Sequence, residues 1–237
     1  MSSGLTGLPP GTILQLMYLK DRLGKMGKSL RFLDIGAGNG MLSKLMLSLG
    51  HSGVAVDLNA GACKKNTESN QEAVAAGKLK VINGNFLELD DTEKFDVIMA
   101  SMVIEHLPDS ILVGFINQCK NLLKANGSIV FFVPSSMKYW GIEDEIAGHM
   151  LRYERKDVDA LAQRFQLNVS HLAGLTYPVS NWLFSLSNRI IQKKESEKLK
   201  LSEQERTVYT GNREVSYKTQ FPKVFNLILN QVVLYQL

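Results

Sequence analysis

Phe32-Leu33-Asp34-Ile35-Gly36-Ala37-Gly38-Asn39-Gly40 is the stretch that decides the fold. An apolar run with the composition of a strand carries an acid and then breaks into three alternating glycines. An amphipathic stretch, Met41 to Leu49, follows at once. A glycine-rich strand-to-helix turn lets backbone N–H groups approach a ligand where a Cβ would stand in the way. The ligand of such a turn sits at the carboxyl end of a parallel strand.

The glycine spacing narrows the ligand. A dinucleotide fingerprint places its last glycine at the sixth position, for close helix–strand packing. Here the sixth position is Met41, and the third glycine falls one residue early. Asp34 stands two residues before Gly36, where a carboxylate repels phosphate and suits an ammonium group. Asp57 ends the next strand-like run, Gly53-Val54-Ala55-Val56, where a carboxylate can accept both hydroxyls of a ribose. Glycine turn, amine-facing acid and ribose-facing acid together describe S-adenosylmethionine better than NAD. Each acid has a plainer reading, Asp34 as a turn brace and Asp57 as a helix cap. A side chain at Gly36 is expected to abolish binding and leave the fold largely intact.

Outward from the turn, strand, helix and strand alternate from Leu30 to Val133, the pattern of a parallel sheet with helices on both faces. The expected strands are Phe32–Ile35, Gly53–Val56, Leu79–Ile82, Phe95–Ala100 and Ser128–Val133, with a helix over Asp157–Phe165 and a sixth strand over Leu167–Leu172. Thr12 to Met26 places Ile13, Leu14, Met17, Leu19 and Leu23 at helical spacing. From Tyr177 to Leu237 the alternation stops: Asn181–Lys193 is amphipathic, Lys193–Arg206 is charged, and Phe221–Leu237 turns apolar again. The expected layout is an N-terminal helical lid over 1–28, a ligand-binding α/β domain over 29–175, and a helical cap or extension over 176–237.

The chain has 237 residues, 45% of them hydrophobic, enough for one sizeable core. A net charge of +4 is mild and does not by itself imply nucleic acid. No apolar run is long enough to span a bilayer, and Met1–Gly11 lacks the layout of a signal peptide. Cys63 and Cys119 stand in no metal or redox spacing, which fits a reducing cytoplasm, and no metal site is expected.

These blocks resemble the class I S-adenosylmethionine-dependent methyltransferases. Asn83-Gly84-Asn85-Phe86 is similar to the family's adenine-edge turn, with Asn85 where Asp is common. Phe95 to Ser101 with Glu105-His106-Leu107-Pro108 is similar to the fourth strand and its loop. Leu122 to Val133 is similar to the helix, turn and fifth strand. The resemblance runs from about Leu30 to about Leu175. It implies a Rossmann-like, doubly wound, mostly parallel sheet with a helical C-terminal cap. It also implies cofactor contacts at Asp34, Gly36, Ala37, Gly38, Asp57, Leu58, Asn85, Phe86 (packed on the adenine ring) and Ser101.

Methyl transfer is an in-line displacement in which positioning alone can be worth roughly 7–11 kcal/mol. A hydroxyl acceptor gains about 10²–10⁴-fold from a general base. The candidates are His106, at the rim implied after strand four, and His149, in Gly148-His149-Met150-Leu151-Arg152-Tyr153, similar to the family's His-x-x-Arg-aromatic turn. His51 and His171 read as structural. Tyr139 and Trp140, with Trp182 and Phe184, suggest an aromatic acceptor pocket or ordinary packing. The expected partner is a small-molecule hydroxyl: a quinone-like ring, a secondary metabolite or a sugar. Nucleic acid is disfavoured, because Ser101-Met102-Val103-Ile104 stands where base N-methylating relatives carry an Asn/Asp-Pro-Pro-aromatic motif. Two other readings are a catalytically silent cofactor-binding protein and a membrane-surface contact through Arg189, Lys193, Lys194, Lys198 and Lys200.

Overall fold

The computed structural model describes residues 10–27, 29–90 and 92–175, together with Phe184 and Arg189. The cap expected over 176–237, Trp182 and the lysines of the membrane reading therefore lie outside the described residues, apart from those two positions.

Five parallel strands form one sheet: β1 (Arg31–Ile35), β2 (Ser52–Asp57), β3 (Leu79–Asn83), β4 (Phe95–Ser101) and β5 (Leu123–Phe132), in the order β3-β2-β1-β4-β5. The chain leaves β1 for β2 and β3 on one side, then returns to place β4 against the other. That reversal puts the topological switch point at the carboxyl ends of β1 and β4, where open α/β sheets bind ligands. Helices α1 (Pro10–Gly24), α2 (Met41–Ser48), α3 (Ala60–Ser69), α4 (Gln71–Ala75), α5 (Asp109–Leu122), α6 (Ile142–Ala147) and α7 (Arg155–Phe165) complete the described chain.

Strand periodicity sorts the core into two layers. Leu33, Ile35, Val54, Val56, Ile98 and Ala100 join one cluster with Phe115 and Ile116 of α5 and Phe165 of α7. Phe32, Ala55, Val97 and Met99 join the other with Leu19 and Leu23 of α1 and Met46 of α2. The alternation also fixes Asp34: sharing the face of Phe32, it points at α2. The later part of α1 is a packing element, since Leu19 and Leu23 are fully buried.

The elements depart from expectation in four places. Helix α1 spans Pro10–Gly24 instead of Thr12–Met26; proline suits a first turn, where its missing N–H is no loss. Strand β5 starts at Leu123, because pairing with β4 begins straight after α5 and then runs through an irregularity. Phe95 pairs with Leu123 and Val97 with Ser128, so five residues of advance on β5 face two on β4. Helix α7 begins at Arg155, since the Glu154 backbone N–H donates to the Asp157 carboxylate at 2.8 Å and fixes the entry. The sixth strand does not form: 167–172 makes no ladder among the described residues. Only Leu167 of that run packs on the core, while Val169 and Leu172 are exposed, so the segment has no apolar face to dock.

Candidate active site

Gly36, Gly38 and Gly40 all adopt positive φ (65°, 54° and 80°), the region that favours glycine. Each is small for a different reason. A Cβ on Gly40 would sit 2.1 Å from Oδ1 of Asn66, so this glycine lets α3 approach. A Cβ on Gly36 would sit 2.6 Å from Cγ2 of Val103, so this one admits the loop after β4. A Cβ on Gly38 would meet nothing within 4 Å, so its open side faces the crevice. The expectation for Gly36 is corrected accordingly: a side chain there collides with Val103 first.

The backbone donors of the bend are engaged mostly by β2. Gly36 and Ala37 donate to the Val56 carbonyl at 2.9 and 3.3 Å, and Gly40 donates to the Ala37 carbonyl at 2.9 Å. The N–H of Gly38 donates to Oδ2 of Asp57 at 2.8 Å, while Oδ1 of Asp57 accepts from the N–H of Asn59 at 2.8 Å. Each carboxylate oxygen keeps a further lone pair. Asp57 is partly exposed, and Leu58 beside it is 77% exposed, an apolar side chain offered to the crevice.

Asp34 lies beneath the bend, 1% exposed, with its Oδ2 accepting from the Ser43 hydroxyl at 2.7 Å. Burial drives its pKa up to about 6, against the opposing hydrogen bonds from Ser43. The carboxyl thus braces the bend against α2 through Ser43. Asn85 is partly exposed; its Oδ1 accepts from the Leu87 N–H at 3.1 Å and its Nδ2 donates to Glu88 at 3.1 Å. The expectation that Phe86 packs on an adenine ring is corrected: Phe86 is buried in the core, its ring 4.9 Å from that of Phe115. Asn85 caps the short helical turn 86–88 that carries this ring, and the ring joins the core cluster of Phe115. Ser101 ends β4 at the switch point, half-buried, and Met102 after it holds φ 55°. A non-glycine residue in that region is uncommon and carries local backbone strain.

Both histidine candidates converge, although 43 positions separate them in sequence. The rings of His106 and His149 meet edge to face with centroids 4.8 Å apart. With Glu105 they offer one ligating atom each, all within 4.8 Å of one another. Nδ1 of His149 lies 2.8 Å from Oδ1 of Asp144, and Nε2 lies 3.9 Å from Oε1 of Glu105. Nδ1 of His106 lies 3.2 Å from the Gly148 carbonyl. Glu105 is fully buried and neither carboxyl oxygen has a hydrogen-bond partner; burial pushes its pKa up to about 7. Burial and the neighbouring His149 hold His106 below the usual imidazole range.

Asp144 is the opposite case. Burial alone would raise its pKa, but hydrogen bonds from His149, Arg152 and Gly141, with the Arg152 charge, bring it down to about 2. Arg152 reaches it through Nε at 2.8 Å and Nη2 at 2.9 Å, a two-pronged contact. The Met150 N–H donates to the Glu105 carbonyl at 2.8 Å, which ties this loop to the end of β4. Sequence reasoning misses Glu105, Asp144 and Arg152 as members of a site. Glu105 and Arg152 figure there only inside the motifs around His106 and His149, and Asp144 is given no role. His51 is structural, buried and accepting the Leu30 N–H on Nδ1 at 3.1 Å. His171 is exposed beside Tyr18, with centroids 5.6 Å apart. Of the aromatic group, Tyr139 and Phe184 meet at 5.5 Å.

Residues 14–172 match a family described as a methyltransferase domain. Ubiquinone biosynthesis O-methyltransferase of Glaesserella parasuis is 38% identical over 121 residues, 48% of this chain and 49% of that protein. The protein of the same name from Pelagibacter ubique is 39% identical over 113 residues, 47% of this chain and 44% of its own. The chain thus spans about half the length of these curated relatives. Among solved structures, a putative sarcosine dimethylglycine methyltransferase from Galdieria sulphuraria superposes with a TM-score of 0.60 at 19% identity, covering 87% of each chain. Magnesium protoporphyrin IX methyltransferase from Synechocystis superposes at 0.56 and 16% identity, over 70% of this chain and 78% of that one. These likenesses show the fold.

Proposed function

The chain belongs to this methyltransferase-domain family, and from that premise we propose that it transfers a methyl group from S-adenosylmethionine to a hydroxyl of a small-molecule acceptor. One observation carries the reading. The open side of Gly38, the Asp57 carboxylate bonded to it and the exposed Leu58 side chain stand together at the carboxyl ends of β1 and β2.

The residues fit the cofactor. Asp57 would accept the ribose hydroxyls with its free lone pairs, Leu58 would cover one face of the adenine, and Asn85 would meet its edge. Gly36, Ala37 and Gly38 would line the amino-acid tail, with Asp34 acting from beneath the bend and Ser101 closing the β4 side. When bound, the cofactor supplies a sulfonium-activated methyl, so the chain's own task is to align the acceptor oxygen and take its proton. His106, in the turn after β4, and His149, in the loop before α7, would take the proton. Relatives named for ubiquinone biosynthesis support a ring hydroxyl as acceptor.

In this reading residues 29–175 form the cofactor-binding unit, with 1–28 as an N-terminal helical lid and 176–237 as a helical cap or extension. Cys63 and Cys119 are both free and buried, which supports placement in a reducing cytoplasm. Among the described residues no helix is long and apolar enough to cross a membrane.

The test is incubation with methyl-labelled S-adenosylmethionine and a panel of catechols, phenols, sugars and amines. Label transfer to a hydroxyl is the expected result. Tight cofactor binding with transfer to none of them would favour the silent-binder alternative.

A further inference from the structure

The corner formed by Glu105, His106, His149 and Asp144 contains more order than a rim contact needs. Asp144 has no exposed surface, yet it receives four donors: the Gly141 N–H, two guanidinium nitrogens of Arg152, and Nδ1 of His149. An ionised carboxylate is acceptor-only. Nδ1 of His149 must therefore carry a hydrogen. In the neutral ring the lone pair then falls on Nε2, the nitrogen turned toward Glu105. The His149 side chain is 13% exposed, and Nε2 lies 3.9 Å from the buried Glu105 carboxyl, beyond hydrogen-bond distance, so its lone pair is not engaged there while Nδ1 is held on Asp144.

We propose that Asp144 is a positioning residue for methyl transfer, holding His149 in the Nδ1–H tautomer so that Nε2 takes the proton of the acceptor hydroxyl. This rests on the functional reading above. Arg152 serves the same end at one remove, by orienting Asp144 with a bidentate contact that a single amine could not reproduce.

The step balances without another reactant. The acceptor O–H bond breaks and its proton passes to Nε2 of His149. The oxygen forms a bond to the methyl carbon as the carbon–sulfur bond breaks, and that electron pair stays on sulfur. The resulting imidazolium is paired with Asp144. The groups facing His149 are Asp144 from α6, Glu105 and His106 from the turn after β4, and Arg152 from the loop before α7. Tyr153 completes the wall, its hydroxyl donating to the Ile104 carbonyl at 3.3 Å. His106 keeps its own Nδ1 on the Gly148 carbonyl, so its Nε2 is a second acceptor on the same rim and does not depend on Asp144.

Two measurements test the assignment. In the wild-type protein, nitrogen-15 NMR of the imidazole rings should show His149 protonated on Nδ1 and unprotonated on Nε2 at a pH where the ring is neutral. The Nε2–H tautomer would overturn the proposal with no variant needed. In Asp144→Asn, checked for folding by circular dichroism, kcat should fall about 100-fold or more while cofactor affinity stays within twofold. The His149 signal should lose its single tautomer. Asp144→Asn or His149→Asn with kcat within threefold of wild type would overturn the assignment while leaving the methyltransferase reading intact. Transfer to no hydroxyl by the wild-type protein would instead remove the reading on which it rests.

Discussion

The backbone N–H of Gly38 donates to the Asp57 carboxylate at 2.8 Å, joining the bend after β1 to the carboxyl end of β2. The acid that the sequence suggests for a ribose is therefore also the anchor of the glycine turn. Removing it should act on both. Asp57→Ala should weaken binding of the demethylated cofactor by about 1.5–3 kcal/mol, the range for hydrogen bonds to a charged group. The thermal upshift that saturating ligand gives the wild-type protein should shrink to match. An unchanged upshift would place the ribose contact elsewhere.

Gly36 and Gly38 should separate fold from binding. Alanine at either position incurs the left-handed strain of roughly 1–2 kcal/mol. Gly38→Ala adds no collision with protein, so it should fold, lose a few degrees of melting temperature and lose cofactor binding. Gly36→Val must also displace Val103, and with it the turn carrying Glu105 and His106, so it should lose stability as well. Equal melting temperatures for the two variants would contradict this division.

Phe86 offers a check on the corrected adenine contact. Its ring packs on Phe115 in the core, so Phe86→Ala should cost about 3–5 kcal/mol of stability, as large aromatic truncations do. Cofactor affinity, measured below the new melting point, should change little. A large affinity loss with little loss of stability would restore the sequence expectation.

Stability should fall from mildly acidic to mildly alkaline pH. Glu105 and Asp34 have pKa values raised by burial to about 7 and about 6, so the native state binds more protons than the unfolded chain above the ordinary carboxyl range. Their stabilising contribution is complete below the unfolded pKa and is lost as pH rises through the folded values. At 1.36 kcal/mol per unit, Glu105 alone can account for roughly 3 kcal/mol. Asp144, depressed to about 2, acts in the other direction and loses its contribution only as pH falls through that value. Urea unfolding at pH 5 and pH 8.5 should show the decline, and Glu105→Gln should reduce it. A pH-independent difference between the two proteins would contradict the assignment to Glu105.

The bend and the strands of the cofactor half are legible in the sequence because their signals are local. Gly36, Gly38 and Gly40 punctuate the chain, and the apolar runs of β1 to β4 differ from the expected bounds by one residue at most at either end. The facing of Asp34 and Phe86 is not legible, because facing depends on which helix lies beside the strand and on how a turn is capped. The histidine pair can be named from sequence, but its partners cannot. Glu105, Asp144 and Arg152 become a site only when the loop before α7 folds back on β4, which no spacing records.

If the crevice between the glycine bend and Asp57 holds S-adenosylmethionine, titration calorimetry of the purified chain with that compound, and with NAD in parallel, will show it. Saturable one-to-one binding of S-adenosylmethionine, with no heat from NAD, is the predicted outcome. Saturation by NAD, with S-adenosylmethionine ignored at millimolar concentration, would contradict the assignment of this crevice.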